Sequence, residues 1–127
     1  MVSDLFQRVG GEATVEAAVN RFYSKFLKHG EISHFFEFVD MDSQRMKLRV
    51  FFRLILGGNR KYSIDRLIAT HRPMLKSDLS ISHVELWLAL TQETLNELDI
   101  PKELIDEFME RCEPFRVALI EMINQEK

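Results

Sequence analysis

In the stretch IDRLIATHRPM, residues 64–74, Ile64, Leu67 and Ile68 take the i, i+3, i+4 spacing of one helix face. The next place on that stripe is held by His71 rather than an apolar residue. Pro73 follows two residues later and stops the helix, because the residue before a proline is pushed out of the α region. Three other apolar stripes carry a similar polar interruption. Tyr23 sits among Val19, Phe22 and Phe26, and Gln44 sits with Met41 and Leu48. Trp87, with its indole N–H, lies with Val84, Leu88 and Thr91. A buried hydrogen-bonding group left unmade costs about 1–3 kcal/mol, so such groups need partners. Four of them on four helices point to a shared polar focus inside an apolar pocket.

Each residue also has a plainer reading. An imidazole in the last turn of a helix complements the negative end of its dipole. Tyr23 can be a core-edge residue whose hydroxyl reaches water. Gln44 can border solvent, and Trp87 can be core filler. The pairs Phe35-Phe36 and Phe51-Phe52 are good core material in any helical protein. The metal options are narrower. Cys112 is alone and the histidines at 29, 34, 71 and 83 are scattered, so no cluster has zinc spacing. Glu31-Ile32-Ser33-His34 has the Glu-x-x-His spacing of a di-iron bundle, but only once. No nucleophile elbow surrounds a serine. A single axial histidine facing an aromatic-lined cavity suits haem, which needs one protein ligand.

The elements that must position these residues are helices, with no convincing strand. A short turn over residues 4–9 reaches Gly10-Gly11, and a long helix is expected over 12–28, before Gly30. A short element holds Ile32, Phe35 and Phe36. Asp40 or Asp42 caps a second long helix that runs through 56 and ends at Gly57-Gly58. Its inward stripe is Met41, Gln44, Leu48, Phe51/Phe52 and Ile55. Ser63 opens the helix carrying His71. Ser82-His83-Val84-Glu85 has the S-x-x-E form of a capping box and is expected to start the next helix, to about 98. Pro101 suits the first turn of the last helix, with a kink expected at Pro114.

At 127 residues the expectation is one all-α domain spanning 1–127, with a single core. The net charge of −3 argues against nucleic acid as a partner. No run approaches the roughly 18 apolar residues of a membrane span. The opening MVSDLFQRVGG lacks the basic start and apolar run of a secretory signal. With one cysteine, no internal disulfide can form, and a reducing, cytoplasmic setting is expected.

Three segments carry a family resemblance. LFQRVGGEATVEAAVNRFYSKFL, HFFEFVDM and QRMKLRVFFRLILGG, with the thirteen-residue step from Gly58 to His71, resemble the truncated haemoglobins over residues 5–120. The resemblance implies a two-over-two globin fold enclosing one haem b (iron protoporphyrin IX), with His71 as proximal iron ligand. It puts Tyr23 at the distal tyrosine, and Gln44 and Leu48 at the two distal-helix positions facing the bound gas. Phe52 takes the aromatic lining one turn further on, and Phe36 the phenylalanine packed on the porphyrin. Lys47 and Tyr62 take propionate contacts, Lys47 being also a candidate sixth ligand when buried and deprotonated. Trp87 takes a ligand-facing position, and Leu67, Leu79 and Val84 complete the expected haem contacts. Phe36 and Gln44 match the first subgroup of the family, whereas Leu48 and Trp87 match the others. The segment 72–79 is about three residues longer than usual.

The implied function is binding of O2, NO or CO at iron, with Tyr23, Gln44 and Trp87 as donors to the gas. Slow O2 release then suits oxidation of NO to nitrate or another redox activity such as a peroxidase-like one, with a reductase as partner. A gas or redox sensor acting through a partner protein is the second expectation, and a helical module without cofactor the third.

Overall fold

The computed structural model describes residues 5–57, 68–69, 71–73 and 79–126. Five α-helices are bounded within them: α1 (Leu5–Arg8), α2 (Gly11–Phe26), α3 (Met41–Leu56), α4 (Ile81–Glu97) and α5 (Lys102–Glu126). A 3-10 turn, Ser33–Phe36, lies between α2 and α3. Residues 68, 69 and 71 are also helical, so His71 sits on helical backbone as its apolar stripe requires, and no strand occurs among the described residues. The expected start of that helix at Ser63 lies outside the described residues.

Helix α2 forms because its apolar residues recur at helical spacing. Val15, Ala18, Val19, Phe22, Tyr23 and Phe26 are all buried on one face. Its entry depends on glycine. Gly10 has φ 116° and Gly11 φ 69°, both left-handed. A Cβ on Gly10 would also run into the Thr14 hydroxyl, which itself donates to the Val9 carbonyl at 2.8 Å. At its far end the helix stops at Phe26 rather than 28. The amides of Lys28 and His29 bond back only three residues, to Lys25 and Phe26, and this tightening ends the α-ladder.

Helix α3 is capped by Asp40, not Asp42. The Asp40 carboxylate accepts the Asp42 amide at 3.1 Å and the Ser43 hydroxyl at 3.1 Å. Its other end is closed from across the fold. Arg111 on α5 donates through Nη1 to the carbonyls of Ile55 and Leu56 at 2.9 and 2.8 Å, held in place by Glu107 at 2.9 Å. Those carbonyls are among the orphans of a helix end. Arg111→Ala is therefore expected to lower stability by about 1.5–3 kcal/mol, the range for hydrogen bonds from a charged donor, measured by urea unfolding.

The start of α4 corrects the sequence reading. The capping box is made by Ser80 and His83, two residues before the expected Ser82 and Glu85. The His83 ring takes the role a glutamate would play, its Nδ1 accepting the Ser80 amide at 3.0 Å. Glu85 is drawn away instead to Arg116 at 2.7 Å. The helix ends at Glu97, and Asp99 just beyond takes a left-handed φ of 60°. In α5 the helix runs unbroken through Pro114, whose ring deprives the Glu110 carbonyl of its usual partner.

The helices assemble as two pairs. The α2–α3 pair lies over the α4–α5 pair, with α2 packed on α4 and α3 meeting α5. Phe22, wholly buried, is the centre of the crossing, with ring contacts to Tyr23, Phe26 and Trp87 at 5.4, 4.2 and 5.4 Å. A smaller cluster of Leu79, Val84, Met122 and Ile123 takes Ile68 against it. This ties the backbone just before His71 to α4 and the end of α5.

Candidate functional site

Between the two pairs lies a cavity of about 360 Å³, inside the ~300–1,000 Å³ range of cofactor and ligand sites. Its lining draws on every element around it. Tyr23 and Phe26 come from α2, Phe35 and Phe36 from the 3-10 turn, and Gln44, Lys47, Leu48 and Phe51 from α3. His71 stands on its wall, half-buried. Leu79, His83, Val84, Trp87 and Leu88 enter from the α4 side, and Cys112, Phe115, Arg116 and Leu119 from α5.

Nine residues singled out in the sequence therefore converge on one cavity: Tyr23, Phe36, Gln44, Lys47, Leu48, His71, Leu79, Val84 and Trp87. Tyr62 and Leu67 lie outside the described residues. Phe52 is the exception. It faces away from the cavity, edge-on to Phe108 at 5.5 Å in the apolar packing between α3 and α5, and Phe51 lines the wall in its place. The spacing carries that answer: Phe51 lies seven residues beyond Gln44 and three beyond Leu48, on the same face. Lys47 is exposed at the edge of the cavity rather than buried within it, whereas the sixth-ligand expectation had it buried.

Sequence reasoning passed over Phe35, His83, Cys112, Phe115 and Arg116 as cavity residues. The signal for two was present. Cys112, Phe115 and Leu119 recur at i, i+3 and i+7 on α5, the spacing of a single face. His83 is turned by its cap on Ser80 and Arg116 by its ion pair with Glu85, while Phe35 lies on the short 3-10 turn.

The polar groups are held firmly. Tyr23 is 2% exposed, and burial pushes its hydroxyl up to about 12, against a hydrogen bond from Gln44 and the charge of Arg45, which act the other way. Its ring is fixed edge-on by Phe22, Phe26 and Phe36 at 5.4, 6.2 and 5.7 Å. Trp87 is braced by Phe22 and by Phe51, the latter at 6.0 Å. The Cys112 thiol is likewise pushed up to about 12 by burial. The thiolate is the reactive form. Cys112 is therefore expected to resist alkylation by iodoacetamide at pH 8 in the folded protein and to react fully in denaturant, read by mass spectrometry.

The residues present fit haem. The walls are aromatic and apolar, and of the two imidazoles among them His83 is engaged by the Ser80 amide while His71 shares the space with a buried phenol, Tyr23, and an amide, Gln44. Among the described residues no group of three or more histidine, cysteine or carboxylate side chains could hold a bare metal ion. No helix among them is long and apolar enough to cross a membrane.

An all-helical fold of two stacked pairs around such a cavity defines the class: a haem-binding globin. The sequence model of the bacterial-like globin family matches residues 4–121. The chain belongs to this family, within its truncated haemoglobins. It is 32% identical over 107 residues to the group 1 truncated haemoglobin GlbN of Synechocystis, covering 84% of this chain and 86% of that one. It is 30% identical to a group 1 truncated haemoglobin of Tetrahymena thermophila, covering 81% and 83%. Among solved structures, the truncated haemoglobin of Tetrahymena pyriformis in the Fe(III) form superposes with a TM-score of 0.80 at 29% identity, over 93% of this chain and 98% of that one. The 2/2 haemoglobin of Synechococcus, in the cyanomet state with covalently attached haem, gives 0.85 at 26% identity, over 94% and 99%.

Proposed function

We propose that this globin binds O2, NO or CO at a haem that His71 would hold in the cavity, and converts NO and O2 to nitrate with electrons from a reductase. The observation that carries the proposal is that the buried Tyr23 and the Gln44 amide line the same cavity as His71. Haem supplies there one open coordination position for the gas and the one-electron redox change that nitrate formation needs.

The chain's own residues do the rest. His71 anchors the cofactor from one wall. Tyr23 offers its O–H to the gas while Gln44 orients the phenol, and the Phe22, Phe26 and Phe36 rings keep it from turning away. Trp87 brings a second class of donor from α4. Phe26, Phe35, Phe36 and Phe51 exclude water, which strengthens each hydrogen bond inside. Lys47, exposed at the edge, suits a haem propionate, and Tyr62 and Leu67 remain part of the proposed contact set. Together the donors slow gas release, which suits capture and conversion rather than delivery.

Phe36 and Gln44, together with the group 1 relatives, favour placement in the first subgroup, with Trp87 and Leu48 as departures. The family match across residues 4–121 supports reading the chain as one domain, and the lone buried thiol is consistent with a cytoplasmic setting. Visible spectra of the ferric, ferrous and O2-exposed protein across pH, followed by mixing with NO, test the proposal. The expected outcome is a stable oxygenated spectrum that converts to the ferric one on adding NO, with stoichiometric nitrate. An oxygenated form that decays within seconds, or NO consumption without nitrate, would contradict it.

A further inference from the structure

Helix α3 presents two different faces. Gln44, Leu48 and Phe51 turn inward to the cavity. Asp42, Met46, Val50 and Arg53, at i, i+4, i+8 and i+11, form a stripe on the opposite side. All four are open to solvent. The Asp42 side chain is 98% exposed, Met46 61%, Val50 45% and the Arg53 side chain 56%. The outer face of a helix is ordinarily polar, so two apolar side chains one turn apart at its centre call for a cover.

The order along the stripe is acid, apolar, apolar, base. At the acidic end Glu37 and Asp40, just ahead of the helix, add to Asp42, against Arg45, which reaches Asp42 at 3.8 Å. At the basic end Arg49 stands one turn before Arg53, against Glu12, which Arg53 meets at 3.3 Å. The two ends therefore keep opposite signs after their own ion pairs are counted. Lys47 stands to one side of the stripe, at the cavity edge.

Such an order is its own complement when reversed. Two copies of α3 laid antiparallel about a two-fold axis put Met46 of each against Val50 of the other, and Asp42 of each against Arg53 of the other. At about 1.5 Å per residue, Asp42 lies about 6 Å beyond Met46 and Arg53 about 4.5 Å beyond Val50. The apolar and ionic contacts thus close in a single register, and the two-fold makes each of them twice.

We propose that the outer face of α3 docks a second copy of this chain, as an antiparallel pair of these helices. A surface of one charge sign, such as an anionic vesicle, would meet repulsion at one end of the stripe, whereas a second copy matches both ends. The face is small, so the association is weaker than that of a standard-size interface. The cavity stays open in the pair, because Gln44, Leu48 and Phe51 face away from it.

Sedimentation velocity of the haem-loaded protein between roughly 10 µM and 1 mM is the test. The parent is expected to pass from monomer towards dimer across that range, and the double variant Met46→Glu, Val50→Glu to remain monomeric. Asp42→Lys sets base against base at both ionic contacts, and Arg53→Glu sets acid against acid. Each alone is therefore expected to self-associate at least about tenfold more weakly than the parent. Mixed in equal amounts, the two charge variants regain both contacts and dimerise at least as strongly as the parent, which also shows that both are folded. A parent that stays monomeric throughout overturns the inference. So does a dimer that either charge variant forms unchanged, or a mixture that associates no better than its components. A double variant whose only effect is lost binding to anionic vesicles overturns it as well.

Discussion

Tyr23→Phe is expected to speed O2 release by roughly tenfold, the kinetic equivalent of the 1–1.5 kcal/mol that one hydrogen bond contributes. The substitution removes one oxygen atom and keeps the ring, so the edge contacts with Phe22, Phe26 and Phe36 survive and the cavity keeps its shape. Gln44→Ala is expected to act in the same direction. Because Gln44 and Tyr23 line the same cavity and the amide bears on the phenol, the two changes are expected to be coupled, and the double variant should fall short of the product of the single effects. Stopped-flow displacement of O2 by CO reads all three rates.

The pH dependence follows from the buried phenol. With its pKa raised to about 12, Tyr23 keeps its proton, and hence its donor role, where an exposed tyrosine would ionise near 10. O2 release is therefore expected to hold steady between pH 9 and 10.5. Stability has the opposite sign above that range. Between pH 10 and 12 the unfolded state has lost the phenolic proton and the folded state retains it. The unfolded state then binds fewer protons, and stability falls as pH rises through this window.

Phe22→Ala is expected to cost about 3–5 kcal/mol, the range for emptying a buried aromatic site. The loss reaches further than α2. Phe22 touches Tyr23 on its own helix and Trp87 on α4, so the ring joins the two helix pairs and braces two of the three distal donors. Urea unfolding should show the loss directly. The surviving folded fraction should also release O2 faster, since Tyr23 and Trp87 lose a common support. Phe38→Ala, at 96% exposure, is the matching control, with a change within about 0.5 kcal/mol.

Much of this was legible in the sequence because helical periodicity reports burial directly. The stripes of α2 and α3, the stops at Gly57 and the residue types on the inner faces mark where Tyr23, Gln44 and His71 turn. What was harder to read depends on contacts between elements. The start of α4 shifted by two residues because a histidine ring replaced the carboxylate of the capping box and Arg116 claimed Glu85. Phe51 and Phe52 are adjacent and chemically identical, and the choice between them was readable only by extending the Gln44 and Leu48 face, which takes Phe51 to the cavity and leaves Phe52 to Phe108 on α5. Arg111 closing the end of α3 is a contact across more than fifty residues, which no local pattern encodes.

The most direct measurement is a haemin titration of His71→Ala, followed at the Soret band beside the unaltered protein, with far-ultraviolet circular dichroism confirming that both remain helical. The account predicts a tight one-to-one complex for the parent and, for the variant, weak binding with the spectrum of haem lacking its proximal imidazole. A stoichiometric complex in the variant, with the parent's spectrum in both ferric and ferrous states, would contradict it.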